Sequence, residues 1–312
     1  MTGLQWNYDV LRNYYASRKL NPIIQHLLQA CPGSCVWGIG GHSVVLKVAP
    51  GIAAKVSLEP GDERLVREQA ILTRLLDADP ACPYIIQSFL QRDDVIFFEL
   101  LENGTLHQQL TFVNSPKPIF RWMYQLSLAV AALEPIGYAH GDLNPRNVVF
   151  DSEDTLRLID FDHSLQAGGK VDVGDEPYVR YHNDPSHYGW AGPATEQFAL
   201  GSLFWYMTRG SELYSELSGF DRVNTLIARK FPSLDLQDPV NRIISNCWEE
   251  KYVSVAELVT DLEVILGEEE VIEGRHETIN QEEKKIICEK YYREVMALVT
   301  AREKNELNQH DA

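Results

Sequence analysis

Several things are scarce in this chain of 312 residues, and each scarcity excludes something. No apolar run approaches the ~18 residues that a membrane helix needs. The start, MTGLQWNYDV, lacks the basic opening and apolar core of a secretory signal. Positive charge is thin: 28 basic side chains face 45 acidic ones, a net charge of −17. Binding a phosphate backbone takes clustered Lys and Arg, so this balance argues against a nucleic-acid partner. Cysteine is sparse and odd in number, at five. Cys31 and Cys35 lie close together, but no second Cys/His pair completes a zinc site. Reduced, mostly buried thiols are expected. So is a soluble intracellular protein with no membrane contact, cytoplasm and nucleus not being distinguished. There is no internal repeat.

What is present is ordinary globular material, 45% apolar and 23% charged, long enough to bury a large core. Residues 7–30 carry apolar side chains at roughly helical spacing, and Pro32-Gly33 ends them. From 36 to 58 short apolar runs alternate with turn residues, Pro50-Gly51 falling between VVLKV and IAAKV. A helix is predicted over 62–76, then strands near 85–90 and 94–100. After Asn103-Gly104 the pattern turns helical, with a one-sided helix over 117–137. Short strands are predicted around 147–150 and 156–159, and a long polar loop over 163–192. Helices follow near 194–208, 221–230, 237–248 and 254–266. The stretch 267–312 is acidic and free of proline, with Ile287, Tyr291, Val295, Leu298 and Val299 forming one apolar stripe. It is expected to be an exposed helical appendage packed on the larger part. The organisation is thus an extension over 1–33, a small β-rich part over 34–101, a larger helical part over 102–266 and the tail. A ligand crevice between two unequal lobes is expected.

Chemistry concentrates in HGDLNPRNVVF (140–150) and LIDFD (158–162). Asp142, Asn147 and Asp160 fall near the ends of short strands, where a rigid scaffold carries functional loops. Two carboxylates and an amide oxygen suit Mg²⁺, which would let an acidic protein hold a triphosphate. HGDLNPRN resembles the catalytic loop of the eukaryotic protein kinase superfamily, H-R-D-L-x-x-x-N, and LIDFD resembles its metal-binding D-F-G segment. The resemblance implies an α+β, two-lobed protein kinase-like fold, a β-rich N-lobe with one helix and a mainly helical C-lobe. It makes Asp142 the base for the substrate hydroxyl, and Asn147 and Asp160 the metal ligands. GIGGHSVV (38–45) is similar to the family's G-x-G-x-x-G-x-V, placing Gly38, Gly40 and Ser43 against ATP phosphates and Val45 in the ATP site. IAAK (52–55) resembles V-A-I-K. This gives Lys55 the α/β-phosphates, with Lys47 as its rival, and Glu68 the role of partner to the lysine. FFELLENGTL (97–106) resembles the segment joining the lobes, where the backbones of Glu99 and Leu101 would meet adenine. Glu196 would stand where an Asp anchors the catalytic loop. The resemblance covers roughly residues 34–266.

Four departures mark the chain as divergent. Gly141 replaces the arginine of the catalytic loop, a form also found in small-molecule phosphotransferases. Asn144 replaces the lysine of serine/threonine kinases, while Arg146 stands either to reach the phosphoryl group or as a surface charge. Asp162 replaces the glycine of D-F-G. No A-P-E is found, and no Arg-Pro at Tyr252-Val253, so both halves of one buried family ion pair are missing; AGPATEQ (191–197) stands in that region without matching it. The resemblance implies an ATP- and Mg²⁺-dependent phosphotransferase acting on a protein hydroxyl, serine or threonine before tyrosine. Alternatives are a pseudokinase serving as a binding or scaffold module, and a small-molecule kinase.

Overall fold

The structure is a computed structural model that describes residues 8–15, 19–112, 115–182, 187–267 and 281–310, with side chains through Ala301. The chain divides into two compact units: one gathers residues from 1–72, 86–100 and 277–312, the other those from 73–85 and 101–276.

The first unit is built on five antiparallel strands: β1 (Cys35–Ile39), β2 (Ser43–Ala49), β3 (Ile52–Ser57), β4 (Ser88–Arg92) and β5 (Val95–Glu99), in the order β1-β2-β3-β5-β4. Pro50-Gly51 turns β2 into β3, with Gly51 at φ +69°. Strand side chains alternate between faces. Val44, Leu46, Val48, Ile52, Ala54 and Val56 therefore share one face, and all are buried. An antiparallel sheet with one solvated face would leave every second residue exposed. Here β3 is buried at all positions. The reason is that helices from both ends of the chain cover that face: α1 (Tyr8–Tyr14), α2 (Pro22–Ala30) and α10 (Gln281–His310) contribute Leu11, Ile24, Leu27, Cys288 and Val295 to the same core. Helix α3 (Glu63–Leu76) follows β3 in the chain.

Two expectations need correction here. The continuous helix expected over 7–30 is two helices. Asn21 ends the approach to α2: its backbone N–H donates to Leu58 O at 2.7 Å and its side chain accepts from Ile23 N–H at 3.0 Å, while Pro22 takes the first helical position. The C-terminal helix, expected on the larger part, packs on α2 and β4. A periodic stripe shows that a helix has an apolar face, not which surface will cover it. Lys284 Nζ fixes the start of α10 by donating to Pro50 O at 2.9 Å. Cys288, Val295 and Val299 are buried there, so truncation after Gly267 should cost on the order of 5 kcal/mol. Chemical denaturation of the full and shortened chains checks this; equal midpoints would contradict it.

In the second unit, α4 (Leu106–Phe112), α5 (Ile119–Ala131), α6 (Pro193–Arg209), α7 (Gly219–Ile227), α8 (Pro239–Trp248) and α9 (Val255–Leu266) surround one core. Helix α6 is its axis, buried on nearly every side. Gly201 explains how α8 comes so close, since a Cβ there would lie 2.7 Å from Cys247 Cβ. Trp248 then reaches Ser202 Oγ at 3.2 Å. Four short strands form two antiparallel pairs: β6 (Tyr138–Ala139) with β9 (Leu165–Gln166), and β7 (Val148–Phe150) with β8 (Leu156–Leu158). Among the described residues no helix is long and apolar enough to cross a membrane.

Candidate active site

In the sheet unit, register places Lys55 between Val45 on β2 and Ile96 on β5, on the sheet face opposite the terminal helices. There Lys55 Nζ meets Glu68 Oε2 of α3 at 2.6 Å, both side chains nearly inaccessible to water. Lys47, the rival, sits on β2 with its ammonium 5.5 Å from the Trp37 ring centre. In the β1–β2 hairpin, Gly40 N–H donates to Ser43 O at 2.9 Å. A Cβ on Gly38 would find only Val45 Cβ at 3.9 Å, and one on Gly41 nothing within 4 Å. Gly38, Gly40 and Gly41 all lack a positive φ. The hairpin itself thus accepts side chains at 38 and 41, and the bare backbone is free for an approaching group. Glu99 closes β5, its carboxylate accepting from Gln87 N–H at 2.9 Å.

In the helical unit, the β7–β8 register pairs Val148 with Leu158, so Asn147 and Ile159 face each other and Asp160 follows. Ile159 N–H donates to Asn147 O at 3.0 Å. Asn147 Nδ2 donates to Asp142 O at 2.9 Å and to Asp142 Oδ2 at 3.0 Å. That leaves the Asn147 amide oxygen as the acceptor. Asp160 takes a left-handed conformation at φ +69°, which costs a non-glycine residue about 1–2 kcal/mol. Such strain concentrates at functional positions. A carboxylate oxygen of Asp160 lies within 4.8 Å of one from Asp162, which is buried. Paired carboxylates beside an amide oxygen form a hard-oxygen set that fits Mg²⁺.

The loop is braced from below by His140, which is fully buried. Its Nε2 lies 3.0 Å from Ile159 O, and its Nδ1 accepts from Asp142 N–H at 3.3 Å. This pattern requires the neutral ring protonated at Nε2, and burial lowers the ring pKa accordingly. Burial also raises the Asp142 carboxyl, which makes it a better proton acceptor. Asn144 Nδ2 adds a bond to Asp142 O at 3.1 Å.

Glu196, in the first turn of α6, anchors the same backbone, accepting from His140 N–H at 2.9 Å and Gly141 N–H at 3.3 Å. Burial pushes its pKa from 4.5 to about 7, against the pull of those two donors. The folded state therefore holds this proton more tightly than the unfolded state. The resulting stabilisation is complete below pH 4.5 and lost as pH rises through about 7. The span amounts to roughly 3 kcal/mol. Against a Glu196→Gln variant, the wild type should lose relative stability across that window. Denaturation midpoints that differ by the same amount at every pH would contradict this.

The departures from the family pattern also find their places. Gly141 sits at φ +78°, and a Cβ there would stand 2.8 Å from His163 O. Exposed Arg146 pairs with Asp175. The missing ion pair is replaced rather than lost. Arg180, in the loop before α6, grips Glu250 between α8 and α9 through two bonds, Nε–Oε1 at 2.6 Å and Nη2–Oε2 at 2.8 Å. Arg229 joins on the same carboxylate at 2.5 Å. Burial alone would raise Glu250; the two guanidiniums overcome that and hold it below the usual carboxylate range. Neighbouring Tyr252 is tied by its backbone to the Gln197 side chain at 2.9 and 3.1 Å. Where the family has glutamate in one segment and arginine in the other, this chain exchanges the signs. Neither Arg180 nor Glu250 stands out in the sequence.

A small antiparallel sheet with a buried Lys–Glu pair, and a helical unit carrying a braced Asp/Asn loop, are the parts of a protein kinase domain. The family model for the protein kinase domain matches residues 36–296, and the chain belongs to that family. It is 32% identical over 169 residues to mitosis inhibitor protein kinase mik1 of Schizosaccharomyces pombe, covering 50% of this chain and 28% of the relative. It is 25% identical over 219 residues to the human phosphorylase b kinase gamma catalytic chain, liver/testis isoform, covering 66% of this chain and 54% of the relative. Stress-activated protein kinase JNK of Drosophila melanogaster matches at 26% over 107 residues, covering 34% of this chain and 29% of the relative. The chain thus spans about half or less of the length of these relatives.

Proposed function

We propose that this chain transfers the γ-phosphate of ATP to a protein hydroxyl, serine or threonine before tyrosine, in a Mg²⁺-dependent reaction. The observation that carries the reading is the buried 2.6 Å pair between Lys55 and Glu68. An isolated buried ammonium is costly, and the partnered one has its donors directed and its charge retained for phosphate. In this reading the lobes span 34–101 and 102–266. Lys55, held by Glu68, grips the α/β-phosphates. The backbone from Gly38 to Ser43 covers them, with Val45 beside it. The Glu99 carbonyl and Leu101 N–H receive adenine. Asp142 orients the acceptor hydroxyl and takes its proton as the oxygen bonds to the γ-phosphorus and the bond to ADP breaks. Asn147 and Asp160 would hold Mg²⁺, which supplies neutralising charge to the phosphates. Membership of the protein kinase family, and relatives that carry the name of protein kinases, support a protein acceptor over a small one.

The acceptor class is read by incubating the chain with γ-labelled ATP, Mg²⁺ and a mixture of proteins and small hydroxyl compounds. Label is expected in phosphoserine and phosphothreonine after hydrolysis of the protein fraction. Label confined to small soluble products would overturn the protein-acceptor reading.

A further inference from the structure

Away from the catalytic loop, the helical unit carries a groove of about 540 Å³ between the start of α5, the end of α6 and the start of α8. Its floor is apolar, with Met207 and Val240 buried and Phe120 45% exposed at the edge. Its rim is basic: Lys117, Arg121 and Arg209 stand there, with Asp238 as the one acidic side chain among the described residues. Asp238 is already engaged, its Oδ1 accepting from Val240 N–H at 2.8 Å and Asn241 N–H at 3.0 Å as the cap of α8.

Among the described residues, the three cations have neutral partners or none. Lys117 Nζ donates to Gln109 Oε1 at 2.9 Å and Ser115 Oγ at 3.1 Å. Arg209 donates to the Asn241 amide oxygen and lies over the Trp205 ring. Arg121 keeps a buried Nε without a hydrogen-bond partner. Among the described residues, none of the three meets a carboxylate. On a chain of net charge −17, three unneutralised cations gathered round an apolar floor are out of keeping with the whole. Carboxylates abound elsewhere on the surface, yet among the described residues none closes this group.

We infer that this groove docks an acidic, amphipathic peptide segment of a partner protein, apolar side chains entering the floor and carboxylates meeting Lys117, Arg121 and Arg209. A second copy of the chain is disfavoured, because two bodies of charge −17 repel. The site is separate from the residues of the proposed phosphotransfer, so its failure would leave that reading intact.

The test uses the full chain and a short fluorescein-labelled peptide alternating glutamate with leucine and phenylalanine. Anisotropy should show saturable binding that weakens with added salt. The counterpart with lysine for glutamate should not bind. The double variant Lys117→Glu, Arg209→Glu, with an unchanged melting temperature, should bind at least about tenfold more weakly. If that pair unfolds the chain, Arg209→Gln alone, at an exposed position, should still weaken binding. No saturable binding, or equal affinity in the folded variant, would overturn the inference. So would a concentration-dependent dimer of the wild type that the variant abolishes, since the groove would then take a second copy.

Discussion

Gly141→Arg, which puts the family's usual residue back into the catalytic loop, is expected to damage this protein rather than restore it. The backbone at 141 is left-handed, and the added Cβ would stand 2.8 Å from the His163 carbonyl oxygen. The conformation alone costs a side chain about 1–2 kcal/mol. The overlap with backbone adds roughly 1–3 kcal/mol, since neither partner is a flexible side-chain end. Relief requires moving either the loop with Asp142 or the turn with Asp160. A stability loss of about 2–5 kcal/mol is therefore expected, with loss of phosphotransfer in the molecules that remain folded. Gly141→Ala should reproduce most of the stability loss, because the Cβ causes it. Full stability in Gly141→Arg would mean that the loop has another conformation open to it.

The second large effect lies in the sheet unit. Glu68→Ala removes the carboxylate 2.6 Å from Lys55 Nζ, whose side chain keeps only 7% of its surface. Breaking a buried ion pair by removing one member costs about 3–5 kcal/mol. Replacing both residues with apolar ones of similar size, Lys55→Met with Glu68→Leu, should recover most of that stability, since an ion pair and an apolar contact are often near equal inside a protein. Phosphotransfer should be absent from both variants. Thermal denaturation of the single and double variants reads the first part. A double variant no more stable than Glu68→Ala would show that the pair is not the source of the loss.

The sequence exposed some of this arrangement and hid the rest for definable reasons. The β2–β3 hairpin was legible because Pro50-Gly51 is strong turn chemistry between two apolar runs. The contact of Glu196 with the loop backbone was legible from its place in the pattern that opens α6. The break between α1 and α2 was obscured because apolar spacing runs across it, and what ends the approach to α2 is the bond of Asn21 to Leu58, distant in sequence. Nor does any local pattern join Arg180 to Glu250, which are 70 positions apart. Family comparison showed the usual glutamate and arginine missing, but only the fold shows that the charges have changed sides. The tail is a similar case. Its stripe over Ile287, Tyr291 and Val295 was plain, whereas the surface that receives it is made by α2 and β4, which share one core with alternate residues of β2 and β3. The burial of Ile52, Ala54 and Val56 on β3 follows from that shared core.

These features share one consequence. Each departure from the family pattern that the structure explains, at Gly141 and at Arg180–Glu250, leaves the braced loop of Asp142 and Asn147 in place. The exchange of signs keeps a partly buried carboxylate paired, with two guanidiniums offsetting its desolvation. Divergence of sequence is thus compatible with retained chemistry, and the most direct measurement is on the proposed base. Wild type and Asp142→Asn, both shown to be folded, are incubated with labelled ATP and Mg²⁺, and transferred phosphate is counted apart from free phosphate. The account predicts transfer by the wild type and a loss of at least about a hundredfold in the variant. Equal transfer by the two proteins, or none by the wild type with any protein acceptor, would contradict it.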